Sequence, residues 1–220
     1  MLWIAFISSM VVSYLCGSFP SGFLAGKICR VDLRKEGSGN IGATNALRVL
    51  GKKWGYTVFA ADFIKGILGV VAAHQIGAIG GWSTGIMADV FGVIGAFFVV
   101  LGHMFPVWLG FNGGKGIATS GGVIIALFPW PVFVFGLLSW LILFFTTRYV
   151  SLGSLAAAFA LPTGSLVMAL LGRCGWLLVV VAVLMCSLAV WRHFPNISRL
   201  MAGTEKRFER KKKDSPEATT

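Results

Sequence analysis

Charge is what this chain has least of. Asp, Glu, Lys and Arg make up only 12% of its 220 residues, about half the share found in soluble domains. Hydrophobic side chains make up 56%, and mean hydropathy is +0.82. A soluble fold of this composition would leave large apolar patches in water, and a disordered chain would be poorer in aromatics. Both classes are excluded. Cysteine is scarce too: Cys16, Cys29, Cys174 and Cys186 show no C-x-x-C spacing and read as reduced packing residues. No G-x-S-x-G elbow, H-E-x-x-H helix, H-x-x-x-x-D dyad or D-G-x-x-A-R run occurs, so neither a cofactor nor a metal is expected. No Lys or Arg precedes Lys27, which argues against a cleaved signal peptide. No repeat relates the two halves.

What the chain does have is apolar length. A helix crossing a bilayer needs about 20 mostly apolar residues, and such stretches lie near 2–26, 55–76, 87–107, 116–130, 131–147, 150–171 and 175–192. The fourth and fifth are divided by a turn at Pro129-Trp130-Pro131. Gly17-Ser18-Phe19-Pro20 predicts a break near the end of the first. The expected fold is therefore an all-α polytopic integral membrane protein of about seven transmembrane helices. Residues 1–210 form its single membrane-embedded domain, and 211–220 are a basic, disordered tail.

The net charge of +11 is unevenly placed. Cations crowd 27–53 and the segment from Arg192 onward, with Lys115 and Arg148 in loops of the same parity. The opposite loops hold Arg173 alone, and Lys65 lies inside a span. The positive-inside rule then puts the N-terminus outside and the C-terminus in the cytoplasm. The Lys211-Lys212-Lys213 run is suited to anionic membrane lipids; nucleic acid is not an expected partner.

Two segments on the basic side carry more donors than topology requires. In Gly37-Ser38-Gly39-Asn40-Ile41-Gly42-Ala43-Thr44-Asn45, followed by Arg48, glycines free backbone amides to converge on an anion. Ser38, Asn40, Thr44 and Asn45 add neutral donors, and Arg48 offers a guanidinium fork to phosphate. The second segment, Asn112-Gly113-Gly114-Lys115-Gly116 with Thr119 just beyond, places a cation beside backbone amides at a helix start. It is not the nucleotide P-loop, because Gly116 stands where that motif needs Ser or Thr for magnesium. Two anion cradles on one side suggest one site for phosphate groups. His193, Asn196 and Ser154 are polar residues near the same side. His193 reads as a base, a donor to developing charge or a structural residue, and Glu205 as one half of an ion pair. Asp62 and Lys65 share a helix face, either as an internal pair or as a substrate contact.

The runs GSGNIGATNALR, GHMFPVWLGFNGGKGIATSGG and HFPNISRLMAGTE together resemble the bacterial acyl-phosphate:glycerol-3-phosphate acyltransferases, the PlsY family. The resemblance runs from GSFPSG in the first span to Glu205. It departs at Asn112, where that family more often has Lys. It implies transfer of a fatty acyl group from acyl phosphate to the 1-hydroxyl of sn-glycerol 3-phosphate at the cytoplasmic side of a bacterial inner membrane. Lysophosphatidic acid and phosphate are the products, in the first acylation of phospholipid synthesis. It also implies contact with the enzyme that makes acyl phosphate. On this reading Ser38, Arg48, Lys115, His193 and Asn196 are the catalytic residues. Gly39, Asn40, Gly42, Thr44, Asn45, Asn112, Gly113, Gly114, Gly116, Thr119 and Ser154 bind substrate, Ser154 by a hydrogen bond to His193, and Glu205 is structural. The alternative is a membrane transporter of phosphorylated metabolites, which would more usually show paired repeats and broken helices at the midplane.

Overall fold

In the computed structural model, which describes residues 1–208, every regular element is helical. Helix α1 (Leu2–Ser18) ends where expected: Pro20 has no amide to donate, and the chain restarts as α2 (Ser21–Ile28). The break frees the Phe19 carbonyl, and the Lys65 ammonium donates to it at 2.9 Å. Lys65 also pairs with Asp62 at 2.8 Å, and the Ser21 hydroxyl donates to that carboxylate at 2.5 Å. The Asp62–Lys65 pair is thus an internal brace, stitching α4 to the broken first span.

After a loop come the amphipathic α3 (Ala43–Leu50) and α4 (Lys52–Ile79). Helix α5 (Gly85–Met104) returns antiparallel to α4. Helices α1, α4 and α5 pack almost backbone to backbone. A Cβ on Gly17 would collide with the Val99 backbone, and one on Gly102 with the Tyr14 carbonyl. Small residues at crossings are how helices associate where no water drives them together. Val70, Val99, Val100, Met104, Val123, Val181 and Met185 form one core shared by α4, α5, α6 and α9.

The second half comprises α6 (Ile117–Leu127), α7 (Trp130–Thr147), α8 (Val150–Leu170), α9 (Trp176–Arg192) and α10 (Phe194–Met201). All seven apolar stretches are helical, but they do not all span. Five are long and apolar enough to cross a membrane, and a sixth is reached if α9 and α10, bent by 56°, count as one. The fourth stretch becomes only the 11 residues of α6, about 16 Å long against a hydrocarbon thickness of about 30 Å. Phe128 and Pro129 end it, and Trp130 and Pro131 form the first turn of α7 rather than part of the turn. All four cysteines are free. The tail expected at 211–220 lies outside the described residues.

Candidate functional site

One end of the bundle encloses a polar cavity of about 370 Å³ walled by three segments distant in sequence. The first wall is the 37–48 loop and α3. Asn45 shapes it from within. Its amide donates to the Leu33 and Glu36 carbonyls at 3.1 and 3.0 Å, and its Oδ1 accepts the Ser38 N–H at 2.8 Å. Every hydrogen-bonding group of this buried side chain is therefore engaged by the loop. It was expected to bind phosphate; it braces the segment that does the lining. Asn40 Oδ1 likewise accepts the Gly42 N–H at 2.7 Å. Gly39 is absent from the wall. Its φ of +72° serves the turn, a conformation other L-residues rarely adopt. Asn40, Gly42 and Asn45 still border the cavity, together with Ser38, Thr44 and Arg48, beside the first turn of α3, whose Ala43 and Thr44 amides are among those a helix leaves without intrahelical partners. Thr44 and Arg48 stand four apart, on one face of α3.

The second wall departs from the expected cradle. Gly113 and Gly114 turn their N–H groups away from the cavity, donating to the Met104 and His103 carbonyls at 3.1 and 3.2 Å. Those are among the carbonyls that the end of α5 leaves unpaired. The Gly113 and Gly114 carbonyls accept from Arg192 Nη2 at 2.6 Å and Nε at 3.1 Å. The two glycines exist for docking: a Cβ on Gly114 would strike the His103 imidazole, and one on Gly113 the His103 carbonyl. Asn112 is exposed, donates to the Gly110 carbonyl and does not line the cavity. Thr119 is fully buried with its hydroxyl unpartnered, its backbone pressed against Gly66 of α4, and it too lies outside the cavity. Lys115 and Gly116 are what this segment presents.

The third wall is built around the α9–α10 bend. His193 is almost completely buried, and its Nδ1 lies 2.7 Å from the Ala189 carbonyl. A carbonyl only accepts, so the imidazole proton sits on Nδ1 and Nε2 keeps a lone pair. Ser154 spends its hydroxyl on the Val150 carbonyl at 2.8 Å, the usual back-bond of a helical serine, rather than on His193. Asn196 joins two walls: its Oδ1 accepts from Lys115 Nζ at 2.5 Å, and its Nδ2 donates to Glu205 Oε1 at 2.6 Å. Glu205 Oε2 takes Arg199 Nε at 2.7 Å, as the structural assignment expected. Burial raises the Glu205 pKa, but donation from Asn196 and Arg199 outweighs it and holds the carboxyl below its ordinary value.

Lys115 is displaced in the other sense. Burial is the main cause, the Arg199, Arg192 and Arg48 charges add to it, and Glu205 opposes it; the pKa falls to about 8. Arg48, Lys115, Arg199 and Lys206 all line the cavity; Arg199 pairs with Glu205 and Lys65 with Asp62, so among the described residues Arg48, Lys115 and Lys206 have no carboxylate partner. The chamber thus carries net positive charge. Ser151 lines the cavity as well; sequence reasoning missed Thr204, Lys206, and the meeting of Asp62 with His103 at the floor, where the two side chains approach to 3.5 Å. His103 stood in a quoted motif and Asp62 was a suspect, but nothing local joined them. Among the described residues no three His, Cys, Asp or Glu side chains gather to hold a metal.

A second cavity, of about 280 Å³, adjoins the first. It is lined almost wholly by apolar side chains of α4, α6, α7, α8 and α9, and shares Phe59, Ile117, Ala118 and Trp140 with the polar chamber.

Fold and site together define a multi-pass membrane protein with a cation-lined chamber beside an apolar groove. The comparisons agree. A family model described as Glycerol-3-phosphate acyltransferase matches residues 7–203. A glycerol-3-phosphate acyltransferase of Desulforamulus reducens is 45% identical, the match covering 96% of this chain and all of that one. One of Methylorubrum populi is 42% identical over 95% of this chain and 96% of the relative. The crystal structure of PlsY (YgiH), an integral membrane glycerol 3-phosphate acyltransferase in its glycerol 3-phosphate form, superposes with a TM-score of 0.81 at 38% identity, covering 93% of this chain and 96% of that one. A lysophosphatidic acid form gives 0.77 at 37% identity, with 93% and 95% covered. The chain belongs to the glycerol-3-phosphate acyltransferase family.

Proposed function

We propose that this protein transfers a fatty acyl group from acyl phosphate to the 1-hydroxyl of sn-glycerol 3-phosphate, giving lysophosphatidic acid and inorganic phosphate. The observation that carries the reading is the junction of the two cavities. A cation-lined chamber and an apolar groove share Phe59, Ile117, Ala118 and Trp140, an arrangement that suits a donor with a phosphate head and an alkyl tail. Relatives named for glycerol 3-phosphate acylation support the acceptor.

The hydroxyl oxygen attacks the acyl carbonyl. The new C–O ester bond forms as the anhydride C–O bond breaks, and phosphate leaves with the bonding pair. Because the donor is already activated, the protein contributes mainly positioning and charge. Ser38, Thr44, Arg48 and the α3 amides hold one phosphate; Lys115, oriented by Asn196, holds the other, with Lys206 adding positive potential. The hydroxyl proton passes either to His193 Nε2 or to a substrate phosphate oxygen. No metal or cofactor enters this scheme.

The cations lining the chamber belong to the basic segments, so the positive-inside rule supports a chamber open to the cytoplasm and an external N-terminus; the bacterial relatives and the helical spans support a place in the inner membrane. The test uses purified protein in detergent or liposomes with palmitoyl phosphate. Phosphate release that depends on glycerol 3-phosphate, with lysophosphatidic acid formed in equal amount, is expected. Counterflow of glycerol 3-phosphate across the liposome without acylation would overturn the reading in favour of transport.

A further inference from the structure

Gly136 sits in the middle of α7, where glycine costs about 1 kcal/mol relative to alanine, and nothing about its backbone calls for glycine, since its φ is not positive. Elsewhere in the bundle helical glycines answer to packing. A Cβ on Gly66 would run into the Thr119 backbone, and one on Gly122 into that of Phe63. Gly136 is as buried as these, yet a Cβ added there meets nothing within 4 Å. A buried glycine facing open space borders a void, and that void is the apolar groove, which Gly136 lines.

Its place along the groove is fixed by helix geometry. Trp140, Gly136 and Val132 recur every four residues on one face of α7, and all three line the groove. Trp140 also borders the polar chamber. At 1.5 Å per residue, Gly136 lies about 6 Å and Val132 about 12 Å beyond Trp140, away from the polar chamber. An acyl chain anchored at the chamber passes Gly136 before it reaches Val132 and Phe133.

We infer that Gly136 determines acyl-chain length specificity: the missing side chain is the passage through which the distal methylenes of a long acyl donor reach the deep half of the groove. The inference rests on the acyl-transfer reading. A Leu side chain at this position fills the passage and excludes the carbons beyond it; a methyl fills part of it.

The experiment compares kcat/KM for palmitoyl phosphate and hexanoyl phosphate at saturating glycerol 3-phosphate, in the same preparations of wild type, Gly136→Ala and Gly136→Leu. Gly136→Leu is expected to lower the palmitoyl-to-hexanoyl ratio about tenfold, the worth of two or so methylenes no longer buried. Gly136→Ala should lower it about twofold to threefold. A ratio unchanged in an active Gly136→Leu enzyme overturns the inference. Should Gly136→Leu be inactive with both donors, the alanine variant decides: an unchanged ratio there overturns it equally. Failure of the wild type to release phosphate in a glycerol 3-phosphate-dependent way would instead overturn the proposed function.

Discussion

The ammonium of Lys115 is the charge in this site that pH should control most directly. In an ordinary setting it would titrate near 10.5; burial, with Arg199, Arg192 and Arg48 nearby, brings it to about 8. That lowering makes the charged form about 3 kcal/mol less favourable than in water. A bound phosphate dianion would offset the cost, so binding and protonation are coupled. Above pH 8 the free enzyme should lose the cation progressively, and at pH 9 about a tenth of it remains charged. The substrate phosphates give no competing signal, because their second ionisation lies near 6 and is complete. The expected profile of kcat/KM is therefore level from pH 7 to about 8 and falls toward tenfold per unit above it.

Two controls isolate the residue. Arginine stays protonated throughout this window, so Lys115→Arg should abolish the alkaline fall even if its absolute rate is lower. Stability moves the opposite way. The folded pKa lies below the unfolded one, so the unfolded chain binds more protons between about pH 8 and 10.5. The Lys115 contribution to stability consequently rises with pH over that interval. Activity should decline where this term strengthens the fold, which separates loss of the cation from alkaline unfolding. A flat wild-type profile from pH 7 to 9.5, or a fall that persists unchanged in Lys115→Arg, would refute the reasoning.

Arg192 grips the Gly113 and Gly114 carbonyls with two nitrogens and stacks on Phe105 and Trp191. Arg192→Ala should cut kcat/KM about 10²-fold by letting the Lys115 loop drift, and Arg192→Lys should rescue little, since one ammonium does not reproduce the fork; equal rescue by lysine would count against a clamp. Thr119→Val removes a buried, unpartnered hydroxyl at nearly constant shape, so the melting temperature should hold or rise and turnover stay unchanged; a large loss of activity would return Thr119 to the binding set. His193→Ala should lower kcat by about 10²-fold or more if Nε2 receives the proton, whereas near-normal turnover would assign that role to a substrate phosphate.

The span pattern was legible because hydropathy and the placement of cations are both written locally in the chain. The length of α6 was not: the apolar run 116–130 continues through Phe128 and Pro129, and hydropathy does not register where helical hydrogen bonding stops. In the site, Ser38, Thr44 and Arg48 were readable, lying within one short segment where their chemistry needs no partner. Asn45, Asn112 and Ser154 looked equally suitable, but backbone groups engage their side chains, and Thr119 is buried outside the cavity with its hydroxyl unpartnered; none of this is displayed by the sequence. Gly113 and Gly114 were misread for a deeper reason. A glycine that frees an amide for an anion and one that lets a loop press against a helix end are identical in sequence.

The short α6 and the docked loop have one cause. The chain leaves α5 at the chamber end of the bundle and must start α7 at the other, because α7 runs back toward the chamber through Trp140. Between Met104 and Trp130 it has only one 3₁₀ turn, Val107–Leu109, and the 11 residues of α6, so irregular backbone covers the rest. Inside a bilayer such backbone persists only where protein satisfies its polar groups or where it lines a cavity. Both conditions hold here. The α5 carbonyls take the Gly113 and Gly114 amides, Arg192 takes their carbonyls, and Lys115 and Gly116 face the chamber. A full-length fourth span would carry Lys115 within a regular helix. Shortening it by half sets the cation at the mouth of the apolar groove, next to Ile117 and Ala118, which border both cavities.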